Sequence, residues 1–314
     1  MPLNLCIIYL RIRKSLIHLI FLSMPQDIGH IKILSPAKIN LFLQVTGKRT
    51  DGYHELFTLM CCIKLYDTII LKTGERVTTV SCDHPEVPED DKNIAWLAAD
   101  LFMTRLKRQR QVSNGGVRIS IEKKIPVAAG LGGGSSNAAA VFLGLNRIYG
   151  YPFAKDEVFE MGVSIGADVP FLIQQKPAIA TGIGDKLKAY NGLRPLKILL
   201  VCPGFGVSTA MVYKNMNLGL TKCAKKLKQF HSDKLDFDIK KHLCNDLEPV
   251  TGGLYPDIFA VKESLLNEGA IGVLMSGSGP TVFGVFSNSD ELQRAKKAIS
   301  IKHQWQLIST DLII

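Results

Sequence analysis

The chain has 314 residues, of which 46% are hydrophobic and 21% are charged, the profile of a soluble globular protein with one large domain or two lobes. No stretch approaches ~18 uninterrupted apolar residues, so we expect neither a transmembrane helix nor a membrane partner. The formal net charge of +10 suits either a nucleic acid or an anionic metabolite as partner.

Residues 1–30 are predicted to be an N-terminal extension. A basic cluster precedes the short apolar run Leu16 to Leu22, as in a signal peptide, but a small-residue cleavage site is missing and His18 interrupts the run. Met24 stands shortly before the first strand pattern. We therefore hypothesise that translation starts at Met24. A peptide from residues 1–23 in the mass spectrum of the native protein would contradict this.

The first predicted elements are strands, beginning at Ile31. The runs "IKIL", "INLFLQVTG" and "TLMCCIKLYDTIILKT" have the apolar pattern of β-strands. The turn signal "NGG" at Asn114 to Gly116 precedes "VRISIEKKI", whose alternation predicts a half-buried strand.

Helices and further strands follow. Helices are predicted over Ser135 to Tyr149 and over Ala154 to Ile165, each followed by a glycine. Leu196 to Gly204 is predicted to be a buried strand, and Gly272 to Phe286 two strands joined by a glycine–serine turn. This mixture predicts an α+β fold. With a break near residues 190–195, the lobes are 31–190 and 191–314.

The basic residues concentrate in two segments, Arg105 to Arg110 and Lys222 to His242. Apolar residues are interleaved at helical spacing, which predicts solvated helix faces. A nucleic-acid-binding stripe is the alternative, but no DNA- or RNA-binding motif accompanies these segments, so we expect no nucleic-acid partner.

The cysteines, at positions 6, 61, 62, 82, 202, 223 and 244, form no CxxC pair. An odd and scattered set in a chain of this size predicts reduced thiols in the core of a cytoplasmic protein.

The segment "IPVAAGLGGGSSNAAAVFLGLN", from Ile125 to Asn146, has the features of a phosphate site. Consecutive glycines let a ligand approach the main chain, and the helix that follows directs its free N–H groups and positive dipole end at the loop. Together these predict a site for a di- or triphosphate. A ligand-free glycine turn is the alternative. The predicted contacts are Pro126, Val127, Ala128, Ala129, Gly130, Leu131, Gly132, Gly133, Gly134, Ser135 and Ser136.

This loop matches neither common nucleotide motif. The lysine that follows the glycines of a Walker A loop is missing. It is not a GxGxxG fingerprint either, because no acidic residue stands about twenty residues on at the end of a second predicted strand. Ser135 and Ser136 add hydroxyl groups at the helix start, either as caps or as contacts to phosphate and Mg²⁺.

Three polar residues stand in unusually apolar settings. Lys38 and Asn40 are two apart on one predicted strand and therefore share a face. A buried lysine needs a partner, although an edge-strand lysine is the alternative. Asp168, in "IGADVPFLI", is either a functional carboxylate or a helix cap. A second glycine turn lies in "MSGSGPTVFGVF", from Met275.

The segments PAKINLFL, GLGGGSSNAA, GADVPF and MSGSGPTVF, in this order, resemble the three motifs of the GHMP kinase superfamily. "TGKRTDGYHEL" narrows the resemblance to the 4-diphosphocytidyl-2-C-methyl-D-erythritol kinases, and the similarity runs from about Ser35 to Phe286. The resemblance implies two α+β lobes with the active site in the cleft between them. The loop departs from the family pattern at Ala128 and Ala129, where another glycine is common, and we expect the alanines to stiffen it.

The resemblance also implies the reaction. ATP, with Mg²⁺ arriving on the nucleotide, would phosphorylate the 2-hydroxyl group of the cytidine-diphosphate-linked methylerythritol in the non-mevalonate isoprenoid pathway. Asp168 matches the family's general base, and Lys38 matches its catalytic lysine, whose charge keeps the carboxylate ionised. Asn40 is expected to contact the erythritol or to support Asp168.

Recognition of cytosine follows from the same resemblance. Tyr53 and Tyr213 match an aromatic pair that sandwiches the base, and His54 matches a histidine that reads its edge. A packing pair in a turn is the alternative for Tyr53 and His54. Thr209 is a weaker candidate for contact with a substrate hydroxyl group.

Three other functions remain open. They are a different small-molecule GHMP kinase, for example one acting on homoserine or a sugar, a basic nucleic-acid-binding protein, and an inactive nucleotide sensor. The sensor is disfavoured because both Lys38 and Asp168 are present. The sequence does not determine the oligomeric state.

Overall fold

A computed structural model describes residues 29–110, 115–218, 223 and 236–314. The start proposed at Met24 lies outside these residues and stays a prediction. The first part of the chain contains, in order, β1 (His30–Lys48), β2 (His54–Glu75), β3 (Thr79–Cys82), α1 (Ile94–Arg110), β4 (Gly116–Glu122), α2 (Gly133–Ile148), α3 (Lys155–Ile165), α4 (Val169–Gln174), β5 (Ala178–Gly182) and β6 (Lys186–Ala189).

The second part continues the mixture of strands and helices. It contains β7 (Lys197–Cys202), α5 (Thr209–Lys214), α6 (Ile239–His242), β8 (Cys244–Asn245), α7 (Glu248–Leu254), α8 (Asp257–Asn267), β9 (Gly272–Met275), β10 (Val282–Phe286), α9 (Ser289–Lys302) and β11 (Gln306–Asp311). The predicted α+β fold is confirmed. The two strand runs predicted after Ile31 form one long strand, β1.

The first sheet is built around the β1–β2 pair. Within the described residues it has seven strands, in the order β3-β4-β2-β1-β8, with β5 beside β2 and β6 beside β5. The antiparallel β1–β2 register shifts between Pro36 and Ala37, and again between Asn40 and Phe42. Bulges of this kind re-aim side chains, and the second one lies beside two of the predicted site residues.

The second sheet has the order β11-β7-β10-β9 and is antiparallel throughout. All four strands follow residue 196, but β8, from the same part of the chain, pairs with β1 of the first sheet. The later part of the chain thus contributes to both sheets. The lobe boundary at residues 190–191 stays a prediction.

Helix α2 packs very closely on the first sheet. Ala138, Ala139 and Ala140 are at most 1% exposed, and these small side chains allow the close approach. A Cβ on Gly144 would lie 2.5 Å from the Cδ1 atoms of both Ile33 and Leu71. This packing fixes the start of α2, and with it the glycine loop, relative to β1.

Apolar side chains from both sheets form one cluster. Ile39 and Phe42 of β1 pack in it with Ile198 and Leu200 of β7 and Phe283 of β10. A well-packed cluster of this kind resists relative movement of the two sheets. It therefore sets the distance between β1 and the turn before β10.

The structure corrects the prediction that all the cysteines are reduced. Cys223 and Cys244 form a disulfide bond. Cys61, Cys62 and Cys202 are free and buried, as predicted. Burial raises the pKa of the Cys62 thiol to about 12, which keeps it protonated at neutral pH.

The basic segment at the end of α1 is a solvated helix face, as predicted. Lys107 and Arg108 are exposed, and Arg105 pairs with Glu160 at 4.0 Å. The second basic segment lies mostly outside the described residues. In the part of the chain that the structure describes, no helix combines the length and apolar character needed to cross a membrane.

Candidate active site

A cleft of about 1070 Å³ brings together residues from both parts of the chain. It is lined by the loop residues from Pro126 to Ser135 and by the predicted catalytic and substrate-binding residues, namely Lys38, Asn40, Tyr53, His54, Asp168, Thr209 and Tyr213. Of the predicted site residues, Ser136 alone does not line it.

At the base of the cleft, Lys38 and Asp168 form an ion pair. Lys38 Nζ lies 3.2 Å from Asp168 Oδ2, and the lysine side chain is 7% exposed while the aspartate side chain is 31% exposed. Lys38 Nζ also donates a hydrogen bond to Asn40 Oδ1 at 2.9 Å. The Asp168 carboxylate thus remains accessible to a ligand. The Lys38 ammonium group, which neutralises it, is held in place by its hydrogen bond to Asn40.

The two alternative roles do not fit this geometry. Asp168 is the N-cap residue of α4, but its side chain makes no capping hydrogen bond. Lys38 is not an exposed edge lysine, because its backbone N–H donates to the Leu131 carbonyl group at 2.9 Å and the residue is 5% exposed. Both charged groups instead face each other in the cleft.

Two glycines allow the loop to pass between β1 and the turn before β10. Gly130 has φ 76° and Gly132 has φ 69°, backbone angles that L-residues adopt at a cost. A Cβ on Gly130 would lie 2.2 Å from the Ser276 carbonyl oxygen, and a Cβ on Gly132 would lie 2.8 Å from Lys38 Cγ. A side chain at Gly130 would therefore collide with the backbone of the neighbouring turn, and one at Gly132 would displace the Lys38 side chain.

Backbone hydrogen bonds hold this loop on three sides. Besides the bond from Lys38 to Leu131, the Thr281 N–H donates to the Ala129 carbonyl group at 3.3 Å, and the Val207 N–H donates to the Ala128 carbonyl group at 3.1 Å. Ala128 has φ 51°. Ala128 thus adopts a left-handed conformation that glycine adopts more easily.

The start of α2 is open toward the cleft. Its N-cap residue, Gly132, offers no side-chain cap, and its first turn contains no acidic residue. The first N–H groups of a helix lack intrahelical partners and carry a partial positive charge. This 16-residue helix therefore presents donors to an anion beside the loop.

The two serines at this helix start face different surroundings. Ser135 lines the cleft. Ser136 is 1% exposed; its hydroxyl group donates to the Pro36 carbonyl group at 2.7 Å and accepts from the Ser35 hydroxyl group at 2.7 Å. Ser136 ties α2 to β1, so we exclude it from the proposed nucleotide contacts.

Two residues of the predicted cytosine site have their rings stacked on each other. The ring stacked on Tyr213 is that of His54, with centroids 5.0 Å apart and planes at 25°. Tyr53 lines the same cleft but is 59% exposed. Burial, followed by the charge of Lys48, lowers the pKa of His54, which keeps the imidazole neutral at pH 7.

Tyr213 lies near the ion pair. Burial and then the negative charge of Asp168 raise the pKa of Tyr213, which keeps its hydroxyl group protonated. The Thr209 hydroxyl group is 2.8 Å from that of Ser278, in the glycine turn after Met275. These contacts place α5 and that turn at one end of the cleft.

A second ion pair, with both side chains buried, lies beside the loop and was not predicted from the sequence. Lys123 Nζ, in the cleft wall, donates to Asp67 Oδ2 at 2.6 Å. Asp67 is fully buried and also accepts from the backbone N–H groups of Lys124 and Ile125 and from Asn137 Nδ2. The signal was an aspartate inside the apolar run of β2, a position that requires a buried partner.

We expect Asp67→Ala to lower the free energy of unfolding by about 3–5 kcal/mol, because it leaves the buried Lys123 ammonium group without a counter-charge. Urea unfolding measures the change. The control is Glu122→Ala at the exposed Lys32–Glu122 pair, with N and O atoms 3.6 Å apart, where a change below ~1 kcal/mol is expected. Equal effects at the two sites would contradict a structural role for Asp67.

Two family models match the chain. The N-terminal domain of GHMP kinases matches residues 93–176, and the C-terminal domain of GHMP kinases matches residues 225–303. A 4-diphosphocytidyl-2-C-methyl-D-erythritol kinase of Syntrophotalea carbinolica is 46% identical over 279 residues, which is 88% of this chain and 97% of that protein. The chain belongs to the 4-diphosphocytidyl-2-C-methyl-D-erythritol kinase family of GHMP kinases.

Other comparisons agree with this family. The Geobacter sp. (strain M21) kinase of the same name is 45% identical over 276 residues, covering 88% of this chain and 96% of that protein. A crystal structure of 4-(cytidine 5'-diphospho)-2C-methyl-D-erythritol kinase superposes with a TM-score of 0.71 at 32% identity, over 90% of this chain and 100% of that one.

The GHMP kinase fold itself is more widespread than this family. Homoserine kinase from Cytophaga hutchinsonii has a TM-score of 0.68 at 16% identity, covering 93% of this chain and 97% of that one. At this identity the likeness shows a common fold alone. The family models and the more similar relatives, by contrast, show that the chain is a small-molecule kinase with the two-lobed GHMP architecture.

Proposed function

We propose that the protein transfers the γ-phosphoryl group of ATP to the 2-hydroxyl group of 4-diphosphocytidyl-2-C-methyl-D-erythritol, a step of non-mevalonate isoprenoid precursor biosynthesis. The observation that carries this proposal is the Lys38–Asp168 pair, with its atoms 3.2 Å apart, beside a helix-backed glycine loop. This arrangement supplies a proton acceptor and a positive charge next to a phosphate site. An alcohol that accepts a phosphoryl group and a nucleotide that donates it would therefore both bind in this cleft.

Asp168 accepts the proton of the substrate hydroxyl group as the oxygen attacks the phosphorus atom. General bases of this kind contribute typically about 10²–10⁴-fold in rate. Lys38 keeps the carboxylate charged and stabilises the negative charge on the transferred phosphoryl group, since phosphoryl transfer depends mainly on positioning and electrostatics.

The loop residues Pro126 to Ser135 hold the ATP phosphates through backbone N–H groups and the start of α2. Mg²⁺ takes oxygen ligands and is commonly held by one or two carboxylates together with phosphates. The hydroxyl group of Ser135, which lines the cleft at the start of α2, fits an ion that arrives with the nucleotide. Mg²⁺ bound there would neutralise phosphate charge.

The cytidine end lies at Tyr53, His54 and Tyr213. The neutral ring of His54 has one N–H donor and one acceptor nitrogen, which suits the mixed donor and acceptor edge of cytosine. Tyr53 offers an aromatic face to the base, and Tyr213 would offer the face that is not stacked on His54. Thr209 lines the same cleft and would contact a hydroxyl group of the substrate. Asn40 supports Asp168 through its hydrogen bond with Lys38.

A coupled ADP-release assay tests this function. We expect rapid turnover with 4-diphosphocytidyl-2-C-methyl-D-erythritol and little with homoserine, mevalonate or a simple sugar at equal concentration. Comparable rates with one of the latter would favour a different GHMP kinase. Salt-dependent binding of duplex DNA or RNA in place of turnover would favour the nucleic-acid alternative.

His54→Ala should raise the KM for the cytidine substrate about 5- to 150-fold, the equivalent of about 1–3 kcal/mol for a hydrogen bond lost in a desolvated site. The KM for ATP should stay nearly unchanged, since the phosphate loop is a separate part of the cleft. His30→Ala, at the exposed start of β1, is the control for steady-state kinetics. An unchanged substrate KM in His54→Ala would show that cytosine is read elsewhere.

A further inference from the structure

A chain of polar contacts leads from the cleft into the interior of the first sheet. It begins with the ion pair between Asp168 and Lys38 and continues from Lys38 Nζ to Asn40 Oδ1 at 2.9 Å. Asn40 Nδ2 then donates to Thr58 Oγ1 at 2.8 Å, and Thr58 Oγ1 donates to the Phe42 carbonyl group at 2.6 Å. Thr58 is the residue of this chain of contacts to which the proposed function gives no role.

In each hydrogen bond of this chain of contacts, only one of the two groups can be the donor. The Lys38 ammonium group has donors and no acceptor, so the Asn40 amide must turn its oxygen toward it. The amide NH₂ group then faces Thr58 and needs an acceptor there. The Thr58 hydroxyl group can accept from Asn40 because its own proton goes to the Phe42 carbonyl group, which cannot donate.

Burial leaves no substitute for these partners. Asn40 and Thr58 are each 2% exposed, so solvent cannot readily replace a lost hydrogen bond. The bulge in β1 contributes to the contact, because Asn40 pairs with Met60 while Phe42 pairs with Leu59. This shift by one residue gives Asn40 and the Phe42 carbonyl group access to the same threonine.

We propose that Thr58 is a positioning residue for phosphoryl transfer. By accepting from the Asn40 amide, it holds the amide oxygen toward Lys38, and the amide oxygen in turn holds the ammonium group against Asp168. The proposal rests on the catalytic roles of Lys38 and Asp168 in the proposed function. Thr58 itself does not touch the reacting atoms.

Thr58→Val tests the hydroxyl group with little change of shape. The valine cannot accept from Asn40, and a rotated amide would direct its NH₂ group at the Lys38 ammonium group, donor against donor. Lys38 would then lose its support. We expect kcat to fall on the order of 10- to 100-fold, as for misplacement of a catalytic group by about 1 Å, with the KM values of both substrates nearly unchanged.

Two variants separate positioning from a structural role. Thr58→Ser keeps the hydroxyl group and should retain most of the wild-type kcat. Thr68→Val makes the same change at a buried threonine of β2 that does not line the cleft, and its kcat should equal that of the wild type. Should Thr58→Val fail to fold, Thr58→Cys carries the same expectation relative to Thr58→Ser, because a thiol is a weak acceptor.

An Asn40→Ala background tests whether Thr58 acts through Asn40. There, Thr58→Val should lower kcat little further, since the amide that it orients is already absent. If Thr58→Val lowers kcat by the same factor in the Asn40→Ala background as in the wild type, the proposal is overturned. Wild-type turnover in Thr58→Val, or a loss in Thr58→Ser equal to that in Thr58→Val, would also overturn it. A wild-type protein without ADP release would overturn the proposed function and this inference with it, whereas an active wild type beside a fully active Thr58→Val would overturn the role of Thr58 alone.

Discussion

Asp168→Asn is expected to lower kcat by about 10²–10⁴-fold while the dissociation constants of ATP and the alcohol change little. Asparagine keeps the shape of the side chain but cannot take the hydroxyl proton. It also removes the negative partner that lies 3.2 Å from Lys38 Nζ. Steady-state ADP release gives kcat, and calorimetric titration gives the two dissociation constants.

The control for this variant is Asp257→Asn. Asp257 is an exposed residue in the first turn of α8, outside the cleft, and its substitution should leave turnover unchanged. If Asp168 served as a helix cap, asparagine, itself a good cap, would preserve both stability and kcat. Near-normal turnover in Asp168→Asn would therefore remove the general-base assignment.

The partner of Asp168 extends this prediction. Lys38→Met should give a loss similar to that of Asp168→Asn. The double variant should be little worse than either single one, because residues that act as a unit are not additive. Fully additive losses would show that the two side chains act independently.

Gly132→Ala is expected to lower kcat by about 100-fold although it adds a single methyl group. The new Cβ would lie 2.8 Å from Lys38 Cγ and 3.1 Å from Lys38 Cε, so the Lys38 side chain, which pairs with Asp168, must shift. A displacement of about 1 Å in a catalytic group can cost this factor in rate. The positive φ of 69° should also destabilise the fold by about 1–2 kcal/mol.

Gly150→Ala is the matched control, because it separates backbone strain from displacement of Lys38. Gly150 has φ 72°, and a Cβ there would meet no atom within 4 Å. Its substitution should lower stability by a similar ~1–2 kcal/mol and leave kcat unchanged. Thermal unfolding and ADP release, measured on both variants, give the two quantities. Equal kcat in Gly132→Ala and Gly150→Ala would contradict the proposed role of the contact between Gly132 and Lys38.

The correct predictions of cleft-lining residues rest on local rules of backbone geometry. Lys38 and Asn40 lie on one face because side chains alternate along a strand. The glycine run predicted a close backbone approach before a helix, and α2 begins inside that run, at Gly133. The sequence could not show which glycine carries the strain. Gly130 and Gly132 have positive φ angles, whereas their neighbours Gly133 and Gly134 do not.

The sequence could not show which side chains point into the interior, because their direction depends on the tertiary packing. Ser135 and Ser136 are neighbours on one helix, and successive helical residues differ in direction by about 100°. Which of the two faces the cleft depends on how α2 docks on β1. Its small residues let it approach closely, and Ser136 then bonds to Pro36 rather than to a ligand.

The pairing of distant residues was likewise decided by the fold. Asp67 and Lys123 are 56 residues apart, and their contact follows from the position of the loop after β4 beside β2. The stacking of His54 on Tyr213 depends on where α5 sits across the cleft. The bond between Cys223 and Cys244 joins two positions whose spacing in the sequence carried no signal.

The sequence by itself predicted the α+β class and a glycine loop before a helix, and it placed Lys38 and Asn40 on one face, because strand alternation, glycine geometry and helix polarity are local properties of the chain. The roles predicted for Lys38 and Asp168 came from the resemblance to the GHMP kinases. Only the tertiary structure decided that Asn40 meets Thr58. That contact depends on a bulge of one residue between Asn40 and Phe42. A shift of one residue in strand register exchanges the two faces of a sheet, and it arises from packing of the whole molecule rather than from any short segment.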